Sequence, residues 1–239
     1  QLASHADIDA RLCVTGQHRQ ILDPVLALFG LHPDHDLAIM RPQQSPAQVA
    51  AALLRRLEPI LRREQPDWVL VQGDTTSTAA AALAAYYARV RVAHVEAGLR
   101  TGDKWQPFPE EINRRLATAL ADLHFAPTEG ARDNLLREGL PASSIHVTGN
   151  TGIDALRWVA DLPYQPDSGP LAAVPWDRTL LLVTAHRREN HGAPLEDICA
   201  GLLALTRHLP HVHIVWPVHP NPAVCGPVRR LLAGAPGIT

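Results

Sequence analysis

At 239 residues and a net charge of -2, the chain is long enough for one large or two small hydrophobic cores, and its charge gives no reason to expect a nucleic-acid surface or an anionic membrane as partner. Its three cysteines, Cys13, Cys199 and Cys225, are scattered and odd in number, which argues against a disulfide framework or a four-cysteine zinc site and fits a reducing cytoplasm. No segment approaches the roughly 20 consecutive apolar residues of a membrane span, and the first residues lack a signal-peptide layout, so a soluble protein acting on small ligands is expected.

Short β-branched or apolar runs alternate with longer helical stretches, the pattern that builds parallel sheets through right-handed crossovers. The chain opens in what reads as the tail of a helix and enters a strand near Leu12 to Thr15. Ser45, with Pro46 in the first turn, starts a helix. Strands follow from Trp68 to Gln72 and from Val90 to Val95, separated by an alanine-rich helix around Ala79 to Ala85. The first of these closes on Gly73-Asp74-Thr75-Thr76, the second on His94-Val95-Glu96-Ala97-Gly98-Leu99-Arg100. Pro109-Glu110-Glu111 places a proline and acids at a helix N-terminus, and a strand runs from Leu123 to Ala126. Thr128 then caps an Ala/Leu/Arg-rich run that leads to a strand from Ile145 to Val147.

Between Leu162 and Trp176 the sequence is dense in proline and without sustained period, which suits a connection between a first domain over 1–161 and a second over 162–239. The second carries strands from Leu180 to Thr184 and from Val212 to Trp216, the former closing on Thr184-Ala185-His186-Arg187-Arg188-Glu189. It has room for only about two strand–helix pairs, fewer than an open sheet normally needs, so truncation at both ends is expected.

Ligands of open α/β sheets sit beyond the carboxyl ends of the strands, so Asp74, Glu96 and His186, delivered there, read as one polar site and point to an enzyme. Each also has a plainer reading. Asp74 can be a helix N-cap, Glu110 on spacing alone is a favourable first-turn acid, and His186 with its charged neighbours can be a solvated loop. Glu96 is harder to dismiss, because an ionised carboxylate in an apolar strand end is costly unless paired. His208, His211 and His213 alternate toward one side of a strand, but Pro210 interrupts them and no further ligands stand nearby, so no metal is expected. Trp68 and Trp158 read as core or interface.

Seven blocks in order resemble one family: Val14 to Arg19, Val71 to Thr78, His94 to Thr101, Pro107 to Arg114, Thr148 to Leu156, Val183 to Asn190, and Pro217 to Pro222. On these the chain resembles bacterial non-hydrolysing UDP-N-acetylglucosamine 2-epimerases. The resemblance implies two Rossmann-like domains of glycosyltransferase-B type with an active site in the interdomain cleft. It also implies an amino-terminal strand with a Gly-Thr-Arg-Pro-Glu turn before Gln1, and a uridine-gripping Ser-Gly-Gly and glutamate segment after Thr239.

The family's reaction inverts carbon 2 of the sugar. That carbon's hydrogen is not next to a carbonyl, and no Gly-x-Gly-x-x-Gly fingerprint for a nicotinamide follows any visible strand, which makes elimination of UDP the easy route; its passage through 2-acetamidoglucal and the re-addition of UDP are what the resemblance implies. By resemblance Asp74, Glu96, Glu110 and His186 are catalytic. Asp74, Glu96, Arg100, His186 and Arg187, with Arg188 beside them, bind substrate, the arginines being suited to phosphate oxygens. Carboxylates that share a dry cleft repel, so at least one is expected to have a raised pKa. Gln17, His18, Arg19 and Gln20, with His219, match a second nucleotide-sugar site that is allosteric in bacterial members; the plainer reading is a polar loop after a strand.

No cofactor is expected, the partner is UDP-N-acetylglucosamine or its manno epimer, and a homodimer is implied by resemblance alone. Two alternatives remain open. One is a hydrolysing relative that releases UDP and free N-acetylmannosamine, although such relatives more often carry Gly-Asp-Arg where this chain has Gly73-Asp74-Thr75. The other is a sugar-nucleotide binder of the same architecture, to which Glu96 and Glu110 would be a hindrance, since added acids oppose an anionic ligand.

Overall fold

The computed structural model describes every residue except Gln1, Gln17, His18, Pro42, Pro166, Asp167, Arg188 and Glu189. The chain divides into two compact units, Gln1–Ala160 and Asp161–Thr239. In the first, β1 (Cys13–Val14), α1 (Arg19–Leu28), β2 (His35–Asp36), α2 (Pro46–Glu64), β3 (Trp68–Gln72), α3 (Thr76–Tyr87), β4 (Arg91–Val95), α4 (Glu110–Leu120), β5 (Leu123–Ala126), α5 (Glu129–Arg137), β6 (Ile145–Val147) and α6 (Thr151–Ala160) follow in order. β1 pairs with β2, and β3-β4-β5-β6 form a parallel sheet in sequence order, each step crossing through one of α3, α4 and α5.

The local causes of these elements are visible. α2 starts in a reciprocal capping box: Ser45 Oγ accepts from the Gln48 N–H at 3.3 Å while Gln48 Oε1 accepts from the Ser45 N–H at 2.9 Å. Its stripe Val49, Leu53, Leu57 and Leu61 recurs one turn apart, and it packs on Leu37, Ile39, Ala80 and Ala84. α3 is buried over most of Ser77 to Ala85 because it packs against α2 and α4 and beside the sheet, and alanine lets those neighbours approach. Thr75 and Thr128 cap α3 and α5 through their hydroxyls.

α5 approaches the loop after β4 so closely that only glycine fits. At Gly98, with φ +87°, a Cβ would stand 2.3 Å from the Ala131 carbonyl oxygen. Gly98→Ala therefore combines left-handed strain with a backbone clash, and we expect a loss of roughly 2–4 kcal/mol, read as a shifted denaturant midpoint.

The second unit holds β7 (Thr179–Leu182), α7 (Ala193–His208), β8 (Val212–Val215) and α8 (Pro222–Leu232). β7 and β8 pair in parallel, and Ile238 begins a further parallel bridge to Ile214. Its core gathers Leu195, Cys199, Trp216, Val224, Val228 and Leu232. Two expectations shift. β7 ends at Leu182, leaving Thr184 in the loop that leads to His186, and β2 was not anticipated: it is two polar residues, His35 and Asp36, and the apolar Leu37, Ala38, Ile39 and Met40 only follow it. Among the described residues no helix is long and apolar enough to cross a membrane.

Candidate active site

The turn after β3 is held at every backbone carbonyl. Gln72 O accepts from Thr78 Oγ1 at 2.7 Å, Gly73 O from His94 Nε2 at 2.8 Å and Asp74 O from Asn113 Nδ2 at 2.9 Å. Gly73 takes φ +76° and its N–H continues the ladder to Val95 O at 3.0 Å. Capping of α3 falls to Thr75, not Asp74, so the N-cap reading of Asp74 does not hold. Its carboxylate faces α4 instead, where Oδ2 accepts from Arg114 Nε at 3.0 Å and Nη2 at 2.6 Å.

Glu96, the first residue past β4, sits in the left-handed region at φ +67°, a conformation that costs a non-glycine residue roughly 1–2 kcal/mol and recurs at functional sites. Its Oε2 lies 3.7 Å from where a Cβ on Gly73 would stand, an ordinary van der Waals distance, so the carboxylate sits beside the turn after β3. No hydrogen bond reaches that carboxylate among the described residues. Burial raises its pKa, the Asp74 charge raises it further, and Arg114 offsets part of this.

The sign of the consequence follows from linkage. A carboxyl with a folded pKa above its ordinary value of 4.5 binds more protons folded than unfolded, so stability falls as pH rises from that value through the folded pKa. Glu96→Gln should therefore raise the melting temperature at pH 7, and the gain should vanish below pH 4.5, where both states are protonated. Calorimetry at the two pH values checks it.

Glu110 is the first residue of α4, on the face that also carries Asn113 and Arg114 three and four positions on. Its Oε2 is closed to solvent and has no partner among the described residues, which is not the setting of a merely solvated first-turn acid. Glu111 beside it is fully buried: its oxygens accept from Thr101 N at 3.1 Å, Gly102 N at 3.4 Å, Arg114 Nη1 at 3.3 Å and Arg115 Nη2 at 3.5 Å. Glu111 thus ties α4 to the loop after β4 while Asn113 and Arg114 tie it to the turn after β3. Sequence reasoning assigned no role to Glu111, Asn113 or Arg114. The available signal was a run of polar residues in the part of an amphipathic helix that continues into the buried Ala117 and Thr118.

Arg100 has a different place from the one expected of a phosphate donor. Its side chain is only 7% exposed, with Nε and Nη2 on the two Glu138 oxygens at 2.7 and 2.8 Å, Nη2 also on Thr118 Oγ1 and Nη1 on Leu99 O. These bonds brace α4 and α5 against the loop after β4.

In the second unit His186 is exposed in the loop after β7, its ring stacked on His219 with centroids 5.1 Å apart. His219 Nδ1 accepts from the Asn221 N–H at 3.1 Å, and Asn221 caps α8. Arg187 is exposed, as is Gln20 in α1; Gln17, His18, Arg188 and Glu189 lie outside the described residues. His213 is buried on Thr239 Oγ1 and His208 bonds the Ala204 carbonyl, and among the described residues no His, Cys, Asp and Glu cluster could hold a metal.

Parallel α/β units with polar residues on the turns beyond their strands place the chain in the Rossmann-like, glycosyltransferase-B class. Solved structures agree: a Neisseria meningitidis UDP-GlcNAc 2-epimerase bound to UDP-GlcNAc superposes with TM-score 0.91 at 42% identity over 99% of this chain and 65% of that one. The S. aureus MnaA–UDP co-structure superposes with TM-score 0.90 at 42% identity over 99% and 62%. The family model described as UDP-N-acetylglucosamine 2-epimerase matches residues 1–239, and the chain belongs to that family. Among curated relatives, the UDP-N-acetylglucosamine 2-epimerase of Yersinia pestis is 49% identical over 99% of this chain, and that of Escherichia coli K12 is 49% identical over 97%. The chain spans 65% and 63% of their respective lengths.

Proposed function

We propose that the protein interconverts UDP-N-acetylglucosamine and UDP-N-acetylmannosamine by eliminating and re-adding UDP. The observation that carries this reading is the unlike pair Asp74 and Glu96 on adjacent strand ends: one carboxylate held by a guanidinium, the other without a hydrogen bond among the described residues and with a raised pKa. Two carboxyls in such different environments suit one role as proton acceptor and one as proton donor near neutrality. A pure binder of an anionic diphosphate has no use for them.

In this reading Asp74 takes the proton from carbon 2 and the C–H electrons form the C1–C2 double bond. The C1–oxygen bond breaks and UDP leaves with the electron pair of that bond, giving 2-acetamidoglucal. Glu96 returns a proton to carbon 2 on the opposite face as a diphosphate oxygen re-forms the bond to carbon 1. Glu110, with one oxygen unpartnered among the described residues, is the third carboxyl of the site, and His186 with Arg187 contributes donors for the diphosphate. In the same reading the first unit, Gln1–Ala160, serves as a Rossmann-like domain and the second, Asp161–Thr239, belongs to a nucleotide-binding domain. Members of the family bound to UDP-GlcNAc and to UDP support the substrate class.

Product analysis separates the alternatives. Incubation of the full-length protein with UDP-N-acetylglucosamine, followed by proton and phosphorus NMR, is expected to give UDP-linked N-acetylmannosamine. Free N-acetylmannosamine with UDP would instead mark a hydrolase, and unchanged substrate a binding protein.

A further inference from the structure

The imidazole of His94 takes no part in the steps above, yet it is one of the most enclosed polar groups of the first unit. It is fully buried in β4, in register with Val71 of β3 and His124 of β5. Its Nε2 stands 2.8 Å from the Gly73 carbonyl oxygen. A carbonyl oxygen only accepts, so Nε2 carries the proton. Nδ1, buried and without a partner among the described residues, is then the bare nitrogen. Burial, the largest influence on this ring, lowers its pKa and keeps it neutral, which suits a group that must donate from a single nitrogen.

A buried histidine is commonly no more than core filling; what this one grips makes the difference. Of the three carbonyls pinned in the turn after β3, that of Gly73 belongs to the residue with the widest choice of backbone conformation, held here at φ +76°. A change in Gly73 ψ that Asp74 φ does not compensate would swing the Asp74 side chain away from Arg114 and alter its approach to Glu96. The neighbouring carbonyls are secured by Thr78 and Asn113, and His94 secures the one between them.

We infer that His94 is a positioning residue: its Nε2–H fixes the Gly73 carbonyl and, through it, the direction in which Asp74 faces Glu96. The kinetic consequence rests on the proposed epimerase reading; the structural one does not. Two variants of the full-length protein test it. His94→Leu fills the space but removes the donor, whereas His94→Gln places an amide N–H near the position of Nε2.

A displacement of about 1 Å at a reacting group lowers rates by roughly 100-fold, so the leucine variant is expected to lose about that factor in kcat with KM little changed, and glutamine to restore most of it. Amide exchange at Asp74 and Thr75 should quicken in the leucine variant and not in the glutamine variant. Unchanged kcat in a folded leucine variant, or equal loss in both variants, would overturn the inference. If the parent shows no epimerase activity, the proposed function fails but His94 remains testable. A side-chain nitrogen-15 spectrum of the parent should show a protonated Nε2 and a bare Nδ1, and a protonated Nδ1 or unaltered exchange at Asp74 would refute the role.

Discussion

Asp74→Asn and Glu96→Gln should each lower kcat by about 100- to 10,000-fold, the range over which a positioned acid or base acts, while leaving the protein folded. Both substitutions keep shape and remove the ability to exchange a proton. In Asp74→Asn the Arg114 guanidinium loses its carboxylate but keeps Glu111 within 3.3 Å, so α4 stays docked. In Glu96→Gln a group whose ionisation is opposed by burial and by Asp74 is replaced by a neutral one, so the same change that stops turnover should raise the melting temperature at neutral pH. A residue that merely supports the fold moves activity and stability together. Steady-state kinetics beside calorimetry reads the two effects separately, and a Glu96→Gln enzyme with kcat close to the parent would remove Glu96 from the chemistry.

Glu111→Ala should be strongly destabilising, at about 3–5 kcal/mol, because it removes a fully enclosed carboxylate and leaves its donors, Arg114 among them, without their acceptor. The Thr101 and Gly102 N–H groups lose their acceptor, and Arg114, itself 13% exposed, keeps Asp74 but loses Glu111. The pH dependence has a definite sign. Burial works to raise the Glu111 pKa, but the Thr101 and Gly102 N–H groups and Arg114 together prevail, and it lies below the ordinary 4.5. Stability from a lowered carboxyl is present above the unfolded value and is lost as pH falls through the folded one. The gap between parent and variant in urea midpoints should therefore be full at pH 7 and narrow in acid. A midpoint shift worth less than about 1 kcal/mol would mean that the loop after β4 finds other acceptors.

The strands of the parallel sheet were legible because short runs rich in β-branched and aromatic residues stand between helix ends and cap or turn signals: Trp68–Gln72, Leu123–Ala126 and Ile145–Val147 fall where their sequences place them. Ser45 and Thr128 were equally plain as caps. Where two capping residues adjoin, as in Asp74-Thr75, sequence cannot say which one caps, and the function of Asp74 hangs on the answer. The polar residues of α4 were left without a role for a related reason: only when the helix is docked do Glu111, Asn113 and Arg114 prove to be its anchor. Arg100 shows the converse, since an arginine beside a catalytic motif invites a phosphate until Glu138, 38 positions on, is seen to take it. Contacts of that separation leave no local trace.

The most direct measurement is to run the reaction in deuterated water and read carbon 2 of the UDP-linked sugar by NMR. Proton removal and return at that carbon by the Asp74 and Glu96 carboxyls predicts deuterium at carbon 2 of the epimerised product, and its near disappearance in Glu96→Gln. Epimerised product that keeps its original hydrogen at carbon 2 would contradict it.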